Sequence, residues 1–557
     1  MQIAGNKFPD VIQPFFATFA VRKHFLLQKC KLHHLYFKNH IIMKTLPIGT
    51  QSLPKLMYKN GIYVDKTQLV HQLVTNLSQC FFSRPRRFGK SLLISTLQEL
   101  FEGNKLLFKD LWIEQNWDWS KQYPVISLSF LDMDYQELGL SSSISHLLNE
   151  IALSKGVTLT KSTPKAQFRE LIDLLYKQHG KVVVLIDEYD KPITQYLEDN
   201  HLKTAKSNQK ILKNFFSALK GMDEKLHFLF ITGVSKFTKV SIFSDLNHLV
   251  DISLNGKYAN LTGYTQTELE HYFSEYLQLA ENKLNISHQQ LMGQIRLWYN
   301  GYSWDGNTRL YNPFGVLNFL EAQVFRNYWF ATGTPTFLLE QMKKYGQFEI
   351  VPIKVDSMFF EKYDLDNIEI YQLLFQTGYL TIQKMNPITD EYWLGFPNKE
   401  VHDSLYNFFV HSLMPRSQRP KSGMTMDDLR YAFETNRLPR VKVIIDSYLG
   451  ELPETVFRHT AEGLYHGLIH IIFKYLGTMI ESEVYTARGR SDIVVQTDTD
   501  VFIFELKFNE SADAALQQII TNGYANRYRA SEKTITAIGV NFSDQQRTIQ
   551  DWKTELI

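Results

Sequence analysis

Two groups of residues in this chain have types and spacings that could do chemistry. The first is Ser83-Arg84-Pro85-Arg86-Arg87-Phe88-Gly89-Lys90-Ser91. Its Gly-Lys-Ser end matches the close of a phosphate-binding loop. Backbone N–H groups at a helix start bind phosphate oxygens. Lys90 would reach the β- and γ-phosphates of a nucleotide, and Ser91 would hold Mg²⁺ through its hydroxyl. Arg84 stands where the first loop glycine is expected, and Arg84, Arg86 and Arg87 could add positive charge around the phosphates. About a hundred residues later the run Val182–Ile186 leads into Asp187-Glu188. Asp187 would order the Mg²⁺, and Glu188 would act as general base on the attacking water. Thr232, at the end of a further apolar run, is placed to sense the γ-phosphate. The bland alternative is a basic surface turn and a capped strand end.

The second group is an acidic hairpin near the C-terminus. Ser491–Gln496 and Val501–Lys507 read as strands around the turn Thr497–Asp500. Centring the turn on Asp498-Thr499 sets Asp492 opposite Glu505, with Cβ atoms about 4.5–5.5 Å apart. Facing like charges are destabilising, and a divalent cation between them removes the conflict. Lys507 shares the face of Glu505 by the period of two. Glu462 on the preceding helix and Gln518 on the following one could add a ligand and an orienting amide. Such a hard-metal oxygen site suits phosphodiester hydrolysis. Spacing alone leaves a surface ion-pair ladder of Arg490, Asp492, Glu505 and Lys507 as an equal alternative.

The elements that must position these residues are legible in outline. Buried strands are expected at 80–82, 124–130, 181–186 and 227–233, with helices at 91–101, 168–176 and 211–220 between them. Apolar strands separated by helices predict a parallel α/β sheet. Thr265-Gln266-Thr267-Glu268 is a capping box that starts a helix through Tyr276. A helix end at Leu373–Gly378 precedes a hairpin, 379–382 with 392–396, which suggests a winged-helix-like unit. A long helix from about Glu454, a strand near Glu483, the acidic hairpin and a helix at 512–528 form a last α/β unit.

Composition narrows the function classes. The chain has 557 residues and a formal net charge of +2. Residues 1–42 hold six Lys/Arg against one acid, and the remainder carries 54 basic and 57 acidic residues, a balance of −3. The body is therefore not a generally basic nucleic-acid binder, and such a contact must be a local patch. Two cysteines, Cys30 and Cys80, offer neither a metal-ligand spacing nor a disulfide framework, which fits a reducing cytoplasm. Residues 1–42 read as an unstructured or non-native leader, with translation starting at Met43. No segment there is long enough to span a bilayer, and no membrane partner is expected.

In combination the motifs resemble those of bacterial AAA-ATPase-like proteins fused to a PD-(D/E)XK nuclease-superfamily domain. The resemblance rests on Tyr63–Thr67, Arg84–Ser91, Leu185–Asp190, Thr232–Phe237, Tyr299–Tyr302, Phe396–Val401, Gly489–Asp492 and Glu505–Lys507. It implies an α/β protein in four parts. These are the leader 1–42, a P-loop parallel-sheet ATPase core 43–280, a helical and winged-helix-like region 281–445, and a restriction-endonuclease-like domain 446–557. It also implies Glu462, Asp492, Glu505 and Lys507 as nuclease-like positions, with Gln518 in an Ala-Leu-x-Gln-Ile segment. ATP and Mg²⁺, with Mn²⁺ as a substitute, are the implied cofactors, and nucleic acid is the implied partner. The Arg84 variant of the loop favours ATP binding over fast turnover, so that its job would be to gate the acidic hairpin. The alternative is an NTP-dependent switch whose C-terminal domain binds nucleic acid or protein without cutting.

Overall fold

A computed structural model describes residues 43–131, 133–197, 201–236, 242–243, 246–329, 350, 352–361, 369–413, 426–450, 472–473, 480–486, 489–543 and 548–557. The leader 1–42 and Glu462 lie outside them. The first sheet holds five parallel strands: β1 (Gln79–Ser83), β2 (Val125–Ser129), β3 (Val182–Asp187), β4 (Leu226–Gly233) and β5 (Val250–Asp251). Their order is β2-β3-β4-β1-β5. Strands β1 and β3 are buried along their whole length, as expected for a sheet covered by helices on both faces.

That order positions the first site. The phosphate loop follows β1, and Asp187 ends β3, with β4 between them. Phe82 pairs with Thr232, and Ile186 pairs with Ile231. Thr232 therefore lies between the loop and the acidic strand end. All three strands run the same way, so their carboxyl ends gather on one edge, the usual ligand edge of an open α/β sheet.

Two expected helices differ in extent. The one expected at 211–220 runs from Leu202 to Phe216 and closes in a 3-10 turn. Its first half buries only Ala205 and Asn208, so the apolar period is faint there. The helix begun by Thr265 has its capping box, but it breaks at Phe273 and resumes as Ser274–Leu284.

The middle region contains the helices His288–Tyr299, Pro313–Ala322 and Ile370–Thr377. Gly378 closes the last of these in the left-handed region, φ 92°. A hairpin of β7 (Thr381–Asn386) and β8 (Glu391–Gly395) follows, with β6 (Ile353–Val355) added on the outside of β8. A helix leading into a small antiparallel sheet is the winged-helix-like arrangement expected.

The C-terminal sheet has the order β13-β12-β11-β10-β9. Its strands are Ile480–Thr486, Gly489–Gln496, Asp500–Phe508, Thr534–Ser543 and Thr548–Leu556, from β9 to β13. The helix Ala512–Asn522 covers one face. Phe433 packs on the other, with ring centroids 5.3 Å from Phe502 and 6.1 Å from Phe504. The expected boundary at 445/446 falls inside the helix Leu438–Gly450, and Asp446 accepts a hydrogen bond from Ile549 N at 2.8 Å. The helices at 426–434 and 438–450 therefore pack with the C-terminal unit. The boundary at 280/281 likewise falls within the helix Ser274–Leu284.

Candidate nucleotide and nuclease-like sites

The phosphate loop turns through two left-handed residues, Arg87 at φ 69° and Gly89 at φ 89°. Gly89 is the N-cap of the helix Lys90–Phe101 and carries no side chain that could cap it, which leaves the first N–H groups aimed at the loop's interior. Above them lies a cavity of about 300 Å³. Arg86, Arg87, Gly89, Lys90, Ser91 and Glu188 all line it. The Lys90 ammonium donates to the carbonyls of Arg84 and Pro85 at 2.9 and 3.1 Å. Burial lowers the Lys90 pKa, while Glu188, Asp187 and Asp190 act against that shift.

Asp187 is buried, and the neighbouring Ser91 side chain acts against the rise in pKa that burial causes. Asp187 Oδ1 has no hydrogen-bond partner. Burial raises the pKa of both Asp187 and Glu188, with Lys90 opposing. Glu188 sits in the left-handed region at φ 51°, a conformation uncommon for this residue type. The Thr232 hydroxyl is fully buried and also has no partner.

Arg84 is the exception among the expected nucleotide residues. Its guanidinium does not line the cavity. It donates to the carbonyls of Ser83 and Ser253 at 2.9 and 2.7 Å, and lies between the rings of Phe82 and Trp304 at 4.3 and 4.0 Å. A long side chain leaving the loop for a carbonyl and aromatic slot can act on the phosphates only through the loop's shape.

Several residues around this cavity had no role legible in the sequence. Tyr63, Val64 and Lys66 form one wall, and Pro313, Phe314 and Leu317 form another. Lys66 donates to both oxygens of Glu268 at 2.6 Å and so fastens the first wall to the capping box. Asp190 accepts from Ser235 N and Ser235 Oγ, both at 2.7 Å, which fixes the segment after β4. The Leu185–Asp190 and Thr232–Phe237 motifs thus meet through Asp190.

The middle region is seated directly on the loop. Trp329 Nε1 donates to Arg86 O at 3.1 Å. Phe88 packs edge-on against Tyr302 and Trp304 at 4.8 and 5.1 Å. A Cβ on Gly378 would lie 2.7 Å from Pro85 Cβ, so only glycine permits that approach. Gln376 Oε1 accepts from Lys236 N at 2.9 Å.

In the C-terminal sheet the hairpin register is the expected one. Ile493 pairs with Phe504 and Gln496 with Val501, which sets Asp492 opposite Glu505. Asp492 Oδ2 accepts from Leu506 N at 2.8 Å. Glu505 is buried, and the Gln518 amide donates to its Oε1. Val494 and Ile503 of the same face pack with Leu516 and Ile519, so Asp492, Glu505, Lys507 and Gln518 share the helix-covered side of the sheet. Gly539 makes that closeness possible: a Cβ there would lie 2.1 Å from Ala512 O. Tyr524 joins this polar group, accepting from Asn522 Nδ2 at 2.9 Å. No group of three or more His, Cys, Asp or Glu suited to a metal occurs among the described residues, which exclude Glu462.

A family model described as a predicted AAA-ATPase matches residues 47–243. A second, for the PD-(D/E)XK nuclease superfamily, matches residues 460–552. A curated relative from Azotobacter chroococcum mcd 1, described as an uncharacterized protein in the vnfD 5' region, is 36% identical over 530 residues. That match covers 92% of this chain and 99% of the relative. The chain belongs to the family of bacterial AAA-ATPase-like proteins fused to a PD-(D/E)XK nuclease-superfamily domain. Among solved structures, the Aeropyrum pernix ORC2 protein in ADPNP–ADP complexes matches at 10% identity and a TM-score of 0.25. It covers 67% of this chain and 97% of its own, a likeness too slight to carry an argument. No described helix is long and apolar enough to cross a membrane.

Proposed function

We propose that the chain binds and hydrolyses ATP at the β1 loop, and that this controls Mg²⁺-dependent hydrolysis of nucleic-acid phosphodiesters in the C-terminal domain. One observation carries the first half. Lys90, Ser91 and Glu188 line one cavity, and the Ser91 side chain is close enough to Asp187 to lower its pKa. Phosphate oxygens would replace the Arg84 and Pro85 carbonyls as partners of the Lys90 ammonium. The N–H groups from Gly89 onward would hold the rest of the phosphate chain. Burial makes Glu188 a stronger base than an exposed carboxylate, which suits it to take a proton from water.

The Ser91 hydroxyl and the unpartnered Asp187 Oδ1 form a hard oxygen pair that fits Mg²⁺. Bound there, the ion would neutralise phosphate charge. The buried Thr232 hydroxyl, between the two strand ends, is suited to contact a γ-phosphate or its water. In the C-terminal domain Asp492 and Glu505 would hold a divalent ion, completed by Glu462. Gln518 would orient Glu505, and Lys507 would place an ammonium beside the charge that builds on a phosphate.

The nucleotide half is tested by titrating labelled ATP and following phosphate release. Lys90→Ala is expected to weaken ATP binding at least tenfold. Glu188→Gln is expected to keep binding and to lose hydrolysis by about 10²–10⁴-fold, the usual range for a general base. Unchanged ATP affinity in Lys90→Ala would refute the assignment.

A further inference from the structure

The helix Leu202–Phe216 contains four lysines and no acidic residue, in a body whose balance is −3. Lys203, Lys206, Lys210 and Lys213 are spaced three, four and three residues apart, which aligns them on one helix face. At about 1.5 Å per residue the row is about 15 Å long. Lys203, Lys210 and Lys213 are exposed, and Thr204, Ser207 and Asn214 are exposed around them. The opposite face buries Ala205, Asn208, Leu212, Phe215 and Phe216. The nearest acids in the sequence lie outside the helix, at Glu198 and Asp199 before it and at Asp223 and Glu224 after it. Lys210 and Lys213 are ten or more residues from each of these.

Two features separate this face from an ordinary solvated one. A solvated helix face mixes charges of both signs, and this one has a single sign. The helix is also fastened to the catalytic strand end. Asn208 Nδ2 donates to Pro192 O at 2.7 Å, in the short helical turn Lys191–Thr194 that directly follows Asp187–Asp190. A ligand on the lysine row would thus press on the segment that carries Glu188.

We infer that the lysine row of the Leu202–Phe216 helix is the docking face for a DNA duplex. A rigid line of ammonium groups complements the regular phosphates of a duplex backbone. Sequence-tolerant binding of single strands relies on exposed aromatic rings for base stacking, and the exposed side of this helix has none. The contact is a sequence-independent one, made with the backbone. It supplies the local basic patch that a nuclease with a slightly acidic body requires, and in that respect it rests on the nucleic-acid half of the proposed function.

The test measures binding of the full chain to a fluorescent DNA duplex across a KCl series, with a labelled single strand in parallel. A Lys203→Gln/Lys210→Gln/Lys213→Gln variant is expected to bind the duplex at least tenfold more weakly. Its slope of log affinity against log salt should be shallower by about two to three, at about 0.9 for each phosphate that the variant leaves unneutralised. The corresponding triple Arg variant should keep wild-type binding, which excludes a folding defect. Duplex binding by the wild type that the Gln variant retains, with the same salt slope, would overturn the docking face and leave the nuclease reading standing. Binding of the single strand alone would overturn the choice of duplex. Absence of any DNA binding by the wild type would overturn both.

Discussion

Arg84 and Glu400 show how single buried ionisable groups shape the phosphate loop and its surroundings. Arg84 anchors the loop to the β5 segment and to Trp304, with Asp251 and Asp305 offsetting its burial. Glu400 lies in the Phe396–Val401 motif, buried, and accepts from Trp329 N at 2.6 Å. Burial pushes its carboxyl up to about 8. An unfolded glutamate titrates near about 4.3. Between those values the folded chain holds the extra proton, so the stability this group contributes is lost as pH rises through the folded pKa. Glu400→Gln keeps an acceptor for Trp329 and cannot ionise. It should therefore be more stable than wild type at pH 8.5, by on the order of a few kcal/mol, with the gap closing toward pH 5. Urea denaturation across that range measures this, and parallel pH profiles for the two chains would contradict it.

At the scale of elements, the helix Ala512–Asn522 fits closely against β12. Gly539→Ala would drive a methyl group into the Ala512 carbonyl and lift the helix that carries Gln518. Overpacking of this kind costs about 1–3 kcal/mol. A denaturation midpoint equivalent to less than about 0.5 kcal/mol of change would show that the helix yields freely. The acidic hairpin was legible from the sequence because its register is local: one turn and a period of two fix which residues face each other. Four strands of the first sheet were legible too, since each is a short apolar run, whereas the two-residue β5, Val250–Asp251, carries no such signal. The order β2-β3-β4-β1-β5 was not, because parallel pairs join segments far apart in the chain and no local signal encodes their neighbours. The direction of Arg84 was hidden for the same reason. Its carbonyl partners on Ser253 and Ala259 are 169 and 175 residues away. The early start of the Leu202–Phe216 helix was masked by small and polar residues on its buried face.

At the scale of the molecule, the middle region lies between the phosphate loop and the helices that pack on the C-terminal sheet. It touches the phosphate loop at Pro85, Arg86, Arg87 and Phe88, and the segment after β4 at Lys236. A phosphate that draws Lys90 away from the Arg84 and Pro85 carbonyls acts on the turn against which Gly378 is packed. The region's other flank leads into the helices 426–434 and 438–450, which pack on the C-terminal sheet. Packed interfaces of this kind shift between discrete arrangements rather than deform smoothly, and this is the route by which the proposed ATP binding would reach the acidic hairpin. The most direct test incubates supercoiled plasmid with Mg²⁺, with and without ATP, and resolves the products. Wild type should nick or linearise the plasmid in the presence of ATP, Lys507→Ala should leave it intact, and Lys90→Ala should lose the response to ATP. A wild-type chain that hydrolyses ATP and binds the plasmid yet leaves it uncut, as Lys507→Ala does, would contradict the nuclease and identify a non-cutting switch.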